Sequence, residues 1–205
     1  MERKKNNMSK VKTIAVSAAV ACFFAGGVAV AENPEKFSSS VDVKKNADGT
    51  FDSKIKTDAT DAAGTRVTRE QEQERSKTLT GNTKTVTKLT TTTDPKGLMN
   101  KSKEEAEQTV KSDGEGNSDR TLSSKSVDDA GTLHKHKVET ETKVKSDGTL
   151  AVSQDDKQIT DPKGLGNKTV VRTQTEKEKR PDGTVTAKVK KQVNGETVQD
   201  EAHVN

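Results

Sequence analysis

The chain has no Trp and no Tyr, only four Phe, and a single Cys in 205 residues. Cys22, Phe23 and Phe24 all stand in an N-terminal leader. Once that leader is removed, no disulfide can form and Phe37 and Phe51 are the only aromatics. Leu, Ile, Val and Phe make up about 16% of the remainder, under the roughly 20% that marks chains unable to fill a core. At about 25 cal/mol per Å² of apolar burial, such a composition does not stabilise a thick, two-layer interior. The choice narrows to a thin, extended structure or a largely disordered chain.

Other absences narrow function. No G-x-S-x-G, P-loop or H-E-x-x-H occurs. Acidic pairs such as Asp128-Asp129 and Asp155-Asp156 lie in polar runs. A carboxylate needs an apolar pocket to shift its pKa for acid–base work, and this composition scarcely makes one. The sequence therefore predicts no catalytic residue, no cofactor and no enzyme. An outer-membrane barrel also fails, for want of a lipid-facing apolar band and aromatic girdles.

Residues 1–31 read as a secretory signal peptide. Arg3, Lys4, Lys5, Lys10 and Lys12 precede an apolar run from Ile14 to Ala31, closed by the small-x-small signal Ala29-Val30-Ala31. Met8 is an alternative start. Uncleaved, the apolar run would just span a bilayer, which needs roughly 17–25 residues. A lipoprotein box at Ala19-Val20-Ala21-Cys22 would cut that run in its middle. The favoured reading is cleavage before Glu32 and release to the periplasm or the cell exterior. The whole chain carries 36 Lys+Arg against 32 Asp+Glu, and the leader holds five of the bases and one acid, Glu2. The remainder is thus formally neutral. No affinity for nucleic acid or, after cleavage, for membrane is expected, because both need uncompensated basic charge.

What the chain does have is a 67-residue period. Thr93-Asp94-Pro95-Lys96-Gly97-Leu98 with Asn100-Lys101 returns as Thr160-Asp161-Pro162-Lys163-Gly164-Leu165 with Asn167-Lys168. The same offset relates Asp61-Ala63-Gly64-Thr65 to Asp128-Ala130-Gly131-Thr132, Gly81 to Gly148, and Gly49 to Gly116 and Gly183. A fixed period of this kind defines a repeat architecture. It divides the chain into the signal (1–31), an N-terminal partial repeat (32–60), two units (61–127 and 128–194) and a C-terminal tail (195–205).

The repeated residues are turn formers. Ala47-Asp48-Gly49-Thr50, Ala63-Gly64-Thr65, Ala130-Gly131-Thr132, Ser146-Asp147-Gly148-Thr149 and Pro181-Asp182-Gly183-Thr184 read as hairpin turns whose Gly takes positive φ. Asn194-Gly195 is a two-residue hairpin signal, and Gly81-Asn82 a weaker one. The Asp-Pro-Lys-Gly segments fit type I turns. Between turns lie Thr- and Val-rich runs such as Thr83–Thr93, Leu133–Ser146, Lys168–Arg180 and Thr184–Val193, suited to a pleated backbone. Arg69–Arg75 and Lys101–Gln108 contain good helix formers, but their counterparts one period later are strand-like, so the repeat places strands there. The expected fold is all-β: ten or eleven long antiparallel strands in an elongated hairpin meander, as a thin or single-layer sheet.

Two constellations are candidate ligand sites. His134 and His136, one residue apart on a strand, share a face and are weak candidates for copper or zinc. They lack an evident third ligand, so no metal site is assigned. Asp113, Glu115, Asn117 and Asp119 imitate the start of a calcium loop, but Ser118 and Ser124 occupy the turn-Gly and bidentate-Glu positions. The expected function is that of an exported, non-enzymatic structural or adhesive protein of a bacterial envelope or extracellular matrix. Its partner would be a protein, an envelope polymer or its own strand edges. The alternative is a soluble periplasmic binding or stress module, weakly linked to metal through the histidines.

Overall fold

The computed structural model describes residues 35–97, 101–128, 130–164 and 166–204. The expected signal segment and its cleavage site lie outside these. The described chain is all-β, with no helix. Eleven strands run in chain order: β1 (Lys36–Lys45), β2 (Phe51–Thr60), β3 (Arg66–Lys77), β4 (Thr83–Asp94), β5 (Ser102–Ser112), β6 (Ser118–Val127), β7 (Leu133–Val144), β8 (Leu150–Asp161), β9 (Thr169–Lys179), β10 (Val185–Val193) and β11 (Glu196–Val204). Each pairs antiparallel with its sequence neighbours, so they form one open meander sheet with β1 and β11 as its edges.

The period is visible in the strand limits. β2, β3, β4 and β5 begin 67 residues before β6, β7, β8 and β9, respectively. Arg69–Arg75 lies in β3, and Ser102–Gln108 in β5. Their helix propensity of a few tenths of a kcal/mol per residue loses to hydrogen-bonding on both sides in register with β2, β4 and β6.

The turn chemistry explains the spacing. In the connections after β1, β2, β3, β6, β7 and β9, the first loop residue receives the N–H of the Gly three residues on. It also donates its own N–H to the carbonyl four on, as in Lys145 N to Thr149 O and Gly148 N to Lys145 O, both 2.9 Å. This is the three-residue hairpin loop with Gly in the left-handed region, which matches strand twist. Asp supplies a second lock. Asp48, Asp147 and Asp182 accept from the N–H of the Thr two residues on, while Asp61 and Asp128 accept from the Thr four on. β10 and β11 are joined instead by Asn194 (φ 51°) and Gly195 (φ 91°), a two-residue turn. Asp94 and Asp161 stay within their strands, and the chain leaves the sheet at Pro95 and Pro162, where a residue without an N–H ends the ladder.

The sheet has two unlike faces, because directly opposed residues share a face and successive residues alternate. One cross-sheet row runs Val41, Ile55, Gln71, Leu89, Ala106, Ser124, His136, Gln158, Val171, Val193 from β1 to β10. On this neutral face the only Asp, Glu, Lys or Arg residues in β4–β8 are Glu104, Arg120 and Asp156. The opposite face of β7 alone carries Lys135, Lys137, Glu139, Glu141 and Lys143. Burial follows the same alternation. In β7, Val138, Thr140 and Thr142 are half-buried while the intervening Lys and Glu are exposed. Thr87, Leu89 and Ala106 on the neutral face, with Thr149 in a turn, are the buried residues among those described. The core is a stripe along one face, not a layer between two.

Candidate functional site

On the charged face, side-chain pairing binds neighbouring strands. Lys54 Nζ lies 2.8 Å from Glu72 Oε1, directly opposite it, and Lys56 lies 3.3 Å from Glu70. Arg66 reaches Asp58 at 3.1 Å, and Lys145 reaches Glu178 at 2.7 Å. Arg172 grips Asp155 with both Nε and its terminal amino group. Hydrogen bonds from these partners hold the carboxyls of Glu72, Asp155 and Glu178 below their ordinary range. For Asp58 the largest cause is the Thr68 hydroxyl, with Arg66 adding to it.

One row of this face changes character along the sheet. Asp42, Lys54, Glu72, Lys88 and Glu107 alternate in sign from β1 to β5; Ser123 follows, and then Lys137, Lys157 and Arg172 stand directly opposite one another on β7–β9. Like charges so placed weaken a sheet locally. Glu139 beside Lys137 at 2.7 Å and Asp155 beside Arg172 offset this. A groove of about 620 Å³ lies over this region, with Lys88, Glu105, Lys125, Lys137 and Lys157 in its lining. Its volume suits a small ligand, but with Lys or Glu at seven of its fourteen lining positions and only Leu89, Ala106 and Ile159 apolar, it is not the largely apolar enclosure such ligands need.

The two histidines do share the neutral face, yet each has its own carboxylate. His136 Nε2 is 3.0 Å from Asp156 Oδ1, and His134 Nε2 is 3.2 Å from Asp128 Oδ2. Asp128 spends its other oxygen on Thr132 N–H at 2.8 Å. The Thr132 N–H, then His134, holds the Asp128 carboxyl below its usual range. Among the described residues no group of three or more His, Cys, Asp or Glu is placed to hold a metal ion. The calcium-loop imitation is likewise spent on structure. Asp113 accepts from the N–H groups of Glu115 and Asn117, and Asn117 Oδ1 accepts from Val144 N–H at 2.8 Å, tying the β5–β6 loop to the end of β7.

The repeated Asp-Pro-Lys-Gly and Asp-x-Ala-Gly motifs meet each other, a contact sequence spacing did not reveal. A Cβ added at Gly64 would stand 2.6 Å from Lys96 Cδ, and one at Gly131 would stand 3.2 Å from Lys163 Cδ. The Lys stem of each long loop therefore lies across the Gly of the neighbouring hairpin, once per period. Both motifs belong to one structural joint.

The edges complete the accessible surface. All of β1 and all of β11 are exposed. β1 presents Phe37, Val41 and Val43 at 63%, 66% and 44% exposure. Set beside known proteins, the chain matches no family, no characterised protein and no solved structure.

Proposed function

We propose that this chain is an exported, non-enzymatic structural or adhesive protein of a bacterial envelope or extracellular matrix. The observation that carries the reading is the open single-layer sheet whose two edge strands have, among the described residues, one neighbour each. Its faces present rows of short or charged side chains, and the groove over its charged face is lined mostly by Lys, Glu, Ser and Thr, with Leu89, Ala106, His136 and Ile159 among them. Such a surface supports contact along a strand edge or over an extended polar area, where backbone groups supply affinity and alternate side chains supply selectivity. Export rests on the basic leader, apolar run and Ala29-Val30-Ala31 signal.

Cell fractionation with N-terminal sequencing tests this. The expected product begins at Glu32 and is recovered from the periplasm, the envelope or the medium. Full-length chain confined to the cytoplasm sinks the reading.

A further inference from the structure

We infer that β1 is an association edge and that its occupant is β1 of a second copy, paired antiparallel about a two-fold axis through Ser39. The two edges of the sheet differ in kind. β11 exposes Val198 and Val204, but it carries Asp200 and Glu201 at its middle and pairs to β10 through a bulge at Lys191/Gln192, devices that blunt an edge against further pairing. The charges of β1, Lys36, Asp42, Lys44 and Lys45, flank an uncharged centre from Phe37 to Val41. β1 has a regular register with β2 throughout and exposes Phe37, Val41 and Val43 on the neutral face. Phe51 and Ile55 of β2 continue that apolar patch.

The period strengthens the case. β1 occupies the place that β5 and β9 hold one and two periods later, since its limits shifted by 67 residues fall within both successive strands or at their ends. β5 and β9 have an antiparallel neighbour on their outer side, β4 and β8 respectively. Among the described residues β1 is thus an interior kind of strand with one side unpaired. β11 follows β10 as β7 follows β6, but through a shorter turn and a bulge. With eleven strands, β1 and β11 run in the same direction. Joining β11 of one copy to β1 of the next with the neutral face continuous would therefore make a parallel joint, the less stable kind. A two-fold axis normal to the sheet joins β1 to β1 antiparallel and keeps that face continuous. It also closes the assembly as a dimer.

The β1 sequence fits this register. With Ser39 on the axis, Lys36 stands opposite Asp42 and Phe37 opposite Val41, each twice. Opposite charges and apolar pairs at these positions are the units of cross-strand stabilisation. No like charges face each other directly.

This inference deepens the structural reading by naming one partner, but it stands apart from export. A cytoplasmic dimer would sink only the localisation, and an exported monomer only the dimer.

Sedimentation velocity of the purified protein should show twice the monomer mass. Val41→Lys should weaken association at least tenfold while circular dichroism keeps its sheet signal, and Gln199→Lys on β11 should leave association unchanged. In a Cys22→Ser background, Ser39→Cys should give a disulfide-linked dimer on oxidation, while Val43→Cys should not. A monomer at 100 µM, association lost through Gln199→Lys but kept in Val41→Lys, or cross-linking through Val43→Cys and not Ser39→Cys would each overturn the inference.

Discussion

The two faces of this sheet are built from the same strands and teach different lessons about stability. On the neutral face, Thr87, Leu89 and Ala106 are buried although no second layer of the described residues covers them. Short side chains on neighbouring strands about 4.8 Å apart shield one another, so burial comes from lateral contact within a single layer. On the charged face, Lys and Glu of adjacent strands meet at salt-bridge distance but stay about half exposed, as with Lys54 and Glu72, each at 54%. There the pairs mainly fix register, since exposed ion pairs are worth only about 0.2–1 kcal/mol each. Most of the stability should therefore reside on the neutral face.

The largest expected effect comes from emptying the stripe. Leu89→Ala should cost about 2 kcal/mol, the low end for a buried Leu because one side of the site can relax. Lys88→Ala, one residue away on the other face, should stay within about 0.5 kcal/mol. Urea unfolding of both variants measures the contrast, and equal losses would break it.

Acid should act through the carboxylates next. Asp58, Glu72, Glu105, Asp155 and Glu178 on the charged face have lowered pKa values in the folded chain. A depressed folded value contributes stability above the unfolded pKa and loses it as pH falls through the folded one. Stability should thus hold near neutrality and decline below about pH 4, the ordinary carboxylate range. Thermal melts across pH should show Leu89→Ala shifting the whole curve down and Asp155→Asn flattening its acid limb. An unchanged acid limb in Asp155→Asn would remove that carboxylate from the effect.

A smaller loss is expected for Arg172→Ala, measurable because the two-nitrogen grip on Asp155 is pre-organised. Arg172→Lys should recover only part of it. The smallest belongs to Lys54→Ala, a loss that vanishes in 1 M salt, where the Debye length is about 3 Å. A salt-independent loss would show that the Lys54 stem, not its charge, matters.

Particular residues show what could be read beforehand. Strand limits near Thr83–Thr93 and Leu133–Ser146 were legible because Gly-containing turns bound them, and Arg69–Arg75 because the period outranked helix propensity. The two faces were written in the alternation too: β5 places Ser102, Glu104, Ala106, Gln108, Val110 and Ser112 on one side against Lys103, Glu105, Glu107, Thr109 and Lys111 on the other. Low overall hydrophobicity masked this, since Thr, Ser and Gln fill most neutral positions. The His134–Asp128 and His136–Asp156 contacts were not legible, because Asp156 comes from the next strand and its reach depends on register.

The sequence by itself determined that the chain is β, how many strands it has to within one, where it turns, and that it repeats. Each of these follows from local backbone preference and from Gly, Pro, Asn and Asp at fixed intervals. Only the tertiary structure decided which side chains face each other across the sheet. It laid Lys96 and Lys163 over Gly64 and Gly131, set Lys137, Lys157 and Arg172 side by side, and left β1 in regular register with Phe37, Val41 and Val43 exposed on one face, where β11 is bulged. Register is the reason. A one-residue slip in any pairing would exchange the faces of a strand, so these contacts exist only once all eleven strands are aligned together.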